Sequence, residues 1–375
     1  MIYFDNSATT MVDDRVLDTF NKVCKNYPGN SNSIHSLGIK SKELEEYATS
    51  KIASLLGVKT SEVIYTSGAT ESNNMVLKCV ASKYKNRGNH IITSYLEHSS
   101  ILETVKYLED NGFVIDYVNV NGDGLIDLEH LKSLINDKTI LVSIAAVDSE
   151  LGIKQNINEI SKIVREYPKC YFHVDATQAI GKIKVDFSKI DFLSMSAHKI
   201  FGIKGIGLLL KKDNIVIDNL IHGGKSSTDY RSGTPALPLI CSLMKALEII
   251  MPSIDDNYNY VSNLNKNIIV FLSKYDGVHI NSTINSIPYI INFSINNIKP
   301  ETFIHAMERH EIYISSNTAC SSGKLSTSVM ALYNDKVRAE TTIRISLSCL
   351  TKLEEITVFL NTFNGVYEKL HSLNN

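Results

Sequence analysis

The sequence has little excess charge of either sign: the formal net charge over 375 residues is -2. Without a basic surplus, nothing in the composition argues for nucleic acid as a standing partner. Long apolar runs are also missing. The longest candidates, such as Gly207-Leu208-Leu209-Leu210, are strand-sized and fall well short of the roughly 20 residues that span a bilayer. The opening Met1-Ile2-Tyr3-Phe4-Asp5 has neither the basic start nor the apolar core of a secretory leader. The expectation is a cytoplasmic protein with no membrane partner. Six cysteines (Cys24, Cys79, Cys170, Cys241, Cys320 and Cys349) lie far apart, without a C-x-x-C pair or a zinc-type Cys/His spacing. That pattern predicts free thiols and no metal site. Internal repeats and low-complexity linkers are absent too.

What is present is alternation. Helical patterns over Ser41–Leu56, Glu71–Tyr84, Ser99–Asp110, Leu128–Ile135 and Ile157–Tyr167 sit among short apolar runs. Those runs are Val63–Thr66, His90–Ser94, Val114–Val118, Ile140–Ala145, Cys170–Val174, Phe192–Ser196 and Gly205–Leu210. Such alternation predicts an α/β fold, a mostly parallel sheet covered by helices on both faces. Near Met251-Pro252 the character changes to a long helical stretch, a strand over Tyr289–Ser294, a helix from Glu301, a polar loop near 315–328 and a strand from Thr342. The expected division is a large domain over 15–250, with 1–14 and 251–375 forming a smaller α+β domain.

Ligands of doubly wound sheets gather at the carboxyl ends of the strands, and four polar constellations fall at such ends. Thr66-Ser67-Gly68-Ala69-Thr70-Glu71 is either a well-capped helix start or an anion cradle built from Ala69, Thr70 and a free helix N-terminus. Asp175, in His173-Val174-Asp175-Ala176-Thr177-Gln178, is either salt-bridged or the partner of a cationic ring nitrogen. Lys199, in Ser196-Ala197-His198-Lys199, is either a solvated surface charge or a desolvated amine suited to Schiff-base chemistry. His98, in Glu97-His98-Ser99-Ser100, either caps a helix or stacks on a flat ring and relays protons. Phosphate cradle, ring stacker, ring-nitrogen anion and amine together describe one cofactor, pyridoxal 5'-phosphate.

These motifs resemble the cysteine desulfurases of the class V aminotransferase family. Phe4-Asp5-Asn6-Ser7-Ala8-Thr9-Thr10, Gly29-Asn30-Ser31-Asn32-Ser33-Ile34-His35, Arg231-Ser232-Gly233-Thr234 and Ile343-Arg344-Ile345-Ser346-Leu347 extend the similarity along nearly the whole chain. The discriminating segment is Ser315-Ser316-Asn317-Thr318-Ala319-Cys320-Ser321-Ser322-Gly323-Lys324, followed by Ser328-Val329-Met330 where the family has S-H-V-L. It is similar to the catalytic-cysteine loop of the family's long-loop group.

The resemblance implies the pyridoxal-phosphate-dependent transferase fold of the aspartate-aminotransferase type, with a seven-stranded sheet. It implies that Lys199 carries the cofactor as a Schiff base and that Asp175 contacts the pyridine nitrogen. Gln178 is expected near the ring hydroxyl, and His98 on the ring. Thr70, Ser196 and His198 are expected on the phosphate, with Thr234 reaching the phosphate of a neighbouring subunit in a homodimer. Arg344 is expected to hold the substrate carboxylate through a bidentate pair, and Cys320 to take sulfur from L-cysteine as a persulfide, releasing alanine. A sulfur-acceptor protein, either an iron–sulfur scaffold or a tRNA or cofactor thiolation protein, is the implied partner.

Two segments depart from the family pattern. Asp148-Ser149-Glu150-Leu151-Gly152 stands where the family has N-N-E-x-G, so Ser149 replaces an asparagine at the cofactor and substrate. Lys225-Ser226-Ser227-Thr228-Asp229-Tyr230 replaces a glycine- and arginine-bearing stretch. Competing readings are another class V reaction, transamination or cysteine lysis with Cys320 incidental, and a cofactor-bearing partner or scaffold protein.

Overall fold

A computed structural model of the chain describes residues 1–224, 226–316 and 325–374. Its strands, in chain order, are β1 (Ile2–Tyr3), β2 (Val63–Thr66), β3 (His90–Ser94), β4 (Val114–Val118), β5 (Thr139–Ala145), β6 (Tyr171–Asp175), β7 (Phe192–Ser196), β8 (Gly207–Lys211), β9 (Val278–Ile280), β10 (Ile290–Ile295), β11 (Ile312–Tyr313) and β12 (Thr342–Ser346). Seven of them form one sheet in the order β2-β8-β7-β6-β5-β3-β4. Only β8 runs against its neighbours; the other pairings are parallel. The expected α/β class with a mostly parallel seven-stranded sheet is therefore the one observed.

The strands read as continuous apolar runs because both faces of the sheet are buried. Alternate residues serve opposite faces: Val63 and Tyr65 pack into one core and Ile64 into the other. Leu208 and Leu210 likewise oppose Leu209, and Leu193 opposes Phe192. Since β2, β3, β5, β6 and β7 all point the same way, Thr66, Ser94, Ala145, Asp175 and Ser196 end on one edge. The backbones of Gly68 and Gly207 meet there so closely that a Cβ on Gly207 would lie 2.6 Å from Gly68 Cα.

The antiparallel sheet β12-β10-β9 pairs Arg344 with Asn292. The N-terminal segment is bound to this part of the chain. β1 pairs with β11, Phe4 accepts from Ser346 N at 2.7 Å, and the fully buried Phe4 ring meets Phe359 edge-on at 5.7 Å.

Two expectations shift. The first long helix spans Ser36–Leu56 and starts before Ser41, because His35 caps it by accepting from Gly38 N at 3.2 Å. Gly38 sits inside that first turn because a Cβ there would lie 2.2 Å from Ser33 O. The second concerns apolar length. The helical run Leu237–Leu272 is long and apolar enough by composition to cross a membrane, contrary to the reading of the sequence. More than half of its most apolar window is buried inside the fold. Its first part, Leu237–Ile250, packs on the helices Asp14–Asn26 and Ser36–Leu56.

Candidate active site

The polar strand ends enclose a cavity of ≈ 200 Å³. Ala69, Thr70, His98, Ser149, Asp175, Gln178, Ser196, His198, Lys199 and Arg344 all line it, joined by Ser7, Ala8 and Thr177. The four constellations therefore converge. Thr234 does not reach this cavity; it is exposed on a separate one with Ser67, Arg231 and Gly233. Cys320 lies outside the described residues. Among the described residues no cluster of His, Cys, Asp or Glu could hold a metal.

Asp175 ends β6 and is 6% exposed. Its Oδ1 accepts from Thr177 N at 2.9 Å and its Oδ2 from Asn73 Nδ2 at 2.7 Å. Asn73 also donates to Ser100 Oγ at 2.9 Å. The buried charge is thus held by amide donors, which leaves its outward face for a cation in the cavity.

His98 does two jobs. It caps the helix Ser99–Asp110 by accepting from Ser100 N at Nδ1, 3.1 Å away, and it lines the cavity. Burial lowers its pKa, so the ring is neutral near pH 7, with its proton on Nε2. His198 is pushed down to about 4 by burial and by nearby Lys199, Lys204 and Lys182. His173, deep in the sheet between Ser143 Oγ and Ser194 Oγ, is driven down to about 4 by burial.

The expected anion cradle falls where the helix Ala69–Tyr84 begins. Ser196 Oγ accepts from Ala69 N at 2.7 Å, joining the end of β7 to that helix start. Thr70 completes this end of the cavity, where helix N–H groups and the helix dipole favour negative charge. Behind it, Arg231 is paired with Glu71 at 2.9 Å.

Lys199 Nζ donates to the carbonyls of Ser7 and, at 2.8 Å, Ala8. The Ser7 carbonyl accepts a second bond, from Gln178 Nε2 at 2.9 Å. Gln178 Oε1 accepts in turn from Lys182 Nζ at 2.5 Å. Reading the sequence overlooked Ser7, Asn73 and Lys182. Lys182 carried one signal, a lysine set among Ile180, Gly181 and Ile183.

Arg344 is 1% exposed. Nη1 donates to Ser149 O at 2.9 Å, and Nη2 donates to Asp5 Oδ1 and Ser315 Oγ, both at 3.0 Å. Both Nη2 hydrogens are engaged, so a bidentate hold on a carboxylate requires one of these partners to be exchanged. The departing turn is also well anchored. Asp148 accepts from Leu151 N and Ser328 Oγ, and Glu150 accepts from Ser326 Oγ.

The cavity suits a flat, anionic, carbonyl-bearing ligand, which is the character of pyridoxal phosphate. An amine stands on one side, and a buried carboxylate faces in for a ring nitrogen. The hydroxyls Ser7 Oγ and Thr177 Oγ1 are buried without a hydrogen-bond partner among the described residues. Lys199 lines the cavity and Lys182 lies close to it, two amines whose charged forms an anion there would favour.

Sheet and site together define an α/β enzyme of the aspartate-aminotransferase-like fold. Residues 2–359 match the family Aminotransferase class-V, and the chain belongs to that family. It is 36% identical over 381 residues to a NifS/IcsS protein homolog of Lactobacillus delbrueckii subsp. bulgaricus, covering 100% of this chain and 99% of that relative. It is 38% identical to cysteine desulfurase IscS of Buchnera aphidicola subsp. Acyrthosiphon pisum, covering 99% and 93% respectively. Among solved structures, one titled NIFS-LIKE PROTEIN superposes with a TM-score of 0.93 at 36% identity, covering 98% of this chain and 99% of that one.

Proposed function

We propose that the protein is a pyridoxal-phosphate-dependent cysteine desulfurase that takes sulfur from L-cysteine onto Cys320 and releases L-alanine. The observation that carries this reading is the convergence of Lys199, Asp175, His98, Gln178 and Arg344 on one cavity. The full-length similarity to proteins named cysteine desulfurase and the thiol-bearing segment 315–324 support it.

Lys199 would hold the cofactor through its amine and would move protons at the substrate. Asp175 holds a proton at the ring nitrogen, and the Asn73 and Thr177 donors keep that carboxylate aimed. Gln178 offers an amide N–H to the ring oxygen. Thr70, Ser196 and His198 would hold the phosphate, and the His98 ring would stack on the pyridine. Bound in this way, the cofactor supplies an electron sink for negative charge at the substrate carbon. Arg344 takes the substrate carboxylate. The Cys320 thiolate then attacks the substrate sulfur. A sulfur–sulfur bond forms and the carbon–sulfur bond breaks, its electron pair staying with the carbon, which is protonated to give alanine.

The same proposal divides the chain into a cofactor domain over 15–250 and a smaller one formed by 1–14 and 251–375. It makes the enzyme a cytoplasmic homodimer in which Thr234 reaches across, and it passes sulfur to an acceptor protein for iron–sulfur clusters or thiolation. Sedimentation of the cofactor-loaded protein should give twice 41.8 kDa.

Incubation with L-cysteine and a reducing thiol tests the activity. Sulfide and alanine in equal amounts are expected. Pyruvate and ammonia would instead indicate a cysteine lyase, and a yellow protein that makes no sulfide would indicate a cofactor-bearing partner.

A further inference from the structure

Lys182 is a buried amine to which the reading above assigns no task. It is 7% exposed, four residues after Gln178, and forms no ion pair with a carboxylate among the described residues. A buried amine without a countercharge is costly to keep protonated, so what holds it in place is its bonding and the charge of what lies beside it. Its Nζ donates to Gln178 Oε1 at 2.5 Å. An amide has one acceptor end and one donor end, so engaging the oxygen decides which end faces the cavity. Gln178 Nε2 then gives one hydrogen to Ser7 O and keeps the other for a ligand. Because Lys199 donates to that same Ser7 carbonyl, Lys182, Gln178, Ser7 and Lys199 form one continuous hydrogen-bonded chain.

Behind this chain lies a second, much smaller cavity, shared by Lys182, Lys199, Tyr289 and Cys349 and lined by no carboxylate. The Tyr289 hydroxyl is buried there without a partner among the described residues, and burial raises both it and the Cys349 thiol. Neither is an anion at neutral pH. The charged groups that act on Lys182 are Lys199 and Arg344, the latter paired with Asp5, and Lys182 in turn acts on the neighbouring His198 ring. Burial, with those two neighbours, lowers the Lys182 pKa to about 7. An anionic ligand in the main cavity would favour its charged form.

Building on the cofactor reading above, we propose that Lys182 is a positioning residue of this site: it fixes the donor end of Gln178 toward the cavity and sets a positive charge behind Lys199. A cation so placed disfavours a second positive charge on the Lys199 nitrogen. It therefore sets the pH at which that nitrogen loses its proton.

The test is the pH titration of visible absorption in the cofactor-loaded protein, for wild type, Lys182→Met and Lys182→Gln. Both variants are uncharged, and Gln keeps an N–H donor for Gln178. Both should move the titration midpoint up by about one pH unit or more. Lys182→Met should also lose cofactor about tenfold more readily on gel filtration, a loss that Lys182→Gln partly restores. Should Lys182→Met fail to fold, Lys182→Gln alone decides the midpoint. Midpoints equal to wild type in the folded variants would overturn the proposal. A wild type that turns cysteine into neither sulfide nor alanine would overturn the desulfurase reading instead, leaving the midpoint shift as the measure of Lys182.

Discussion

Asn73, in the second turn of the helix Ala69–Tyr84, donates to Asp175 Oδ2 at 2.7 Å and so ties that helix to the end of β6 at the floor of the active-site cavity. Its other Nδ2 hydrogen goes to Ser100 Oγ, and both residues are buried. Asn73→Ala leaves a buried carboxylate oxygen without its donor, at a cost of about 1–3 kcal/mol. Thermal denaturation should show a Tm lowered by several degrees, and the cofactor should be released more readily. Asn73→Asp sets a second carboxylate against Asp175 and should weaken both more severely.

Glu97 gives the fold a pH dependence of its own. Burial pushes its carboxyl up to about 8, outweighing the donors Ser94 Oγ and Ala145 N, with Asp175 and Asp148 adding repulsion. The folded state then keeps a proton that the unfolded chain releases near its ordinary carboxylate pKa. Stability from this group is greatest below that pKa and falls as pH rises toward about 8. The fall reaches at most about 1.4 kcal/mol per pH unit. Urea midpoints across this window should decline in wild type and decline less in Glu97→Gln.

Ser315 competes for the guanidinium expected to bind substrate. It accepts from Arg344 Nη2 at 3.0 Å and donates to Asp5 Oδ1 at 2.9 Å. Ser315→Ala frees one Arg344 N–H without removing the Asp5 countercharge. Steady-state kinetics should show KM for L-cysteine lowered about two- to fivefold, with kcat changed less than about twofold.

Much of this site was legible in the sequence because its groups interrupt apolar strands at their ends. Thr66, Asp175 and Ser196 stand where buried β runs stop, and a parallel sheet brings such ends to one edge. His98 could be placed, but the choice between helix cap and cavity wall was a false one, since Nδ1 caps while the ring lines the cavity. Asn73 was not legible, because its role depends on the distance between a helix and a strand 102 positions away. Lys182 was not legible either, because its burial and its bond to Gln178 exist only in the folded chain. The helix expected from Ser41 begins at Ser36, with Gly38 in its first turn. The constraint on that glycine is the Ser33 carbonyl 2.2 Å from any Cβ.

The central claim, that Cys320 receives the sulfur, is tested most directly by one turnover of L-cysteine without added thiol, followed by mass analysis of the peptide containing residue 320. The account predicts one alanine per subunit and one added sulfur atom on Cys320. In Cys320→Ala the visible cofactor band is retained and both products are lost. Alanine formed unchanged by Cys320→Ala, or a wild-type peptide with no added sulfur on Cys320, would contradict it.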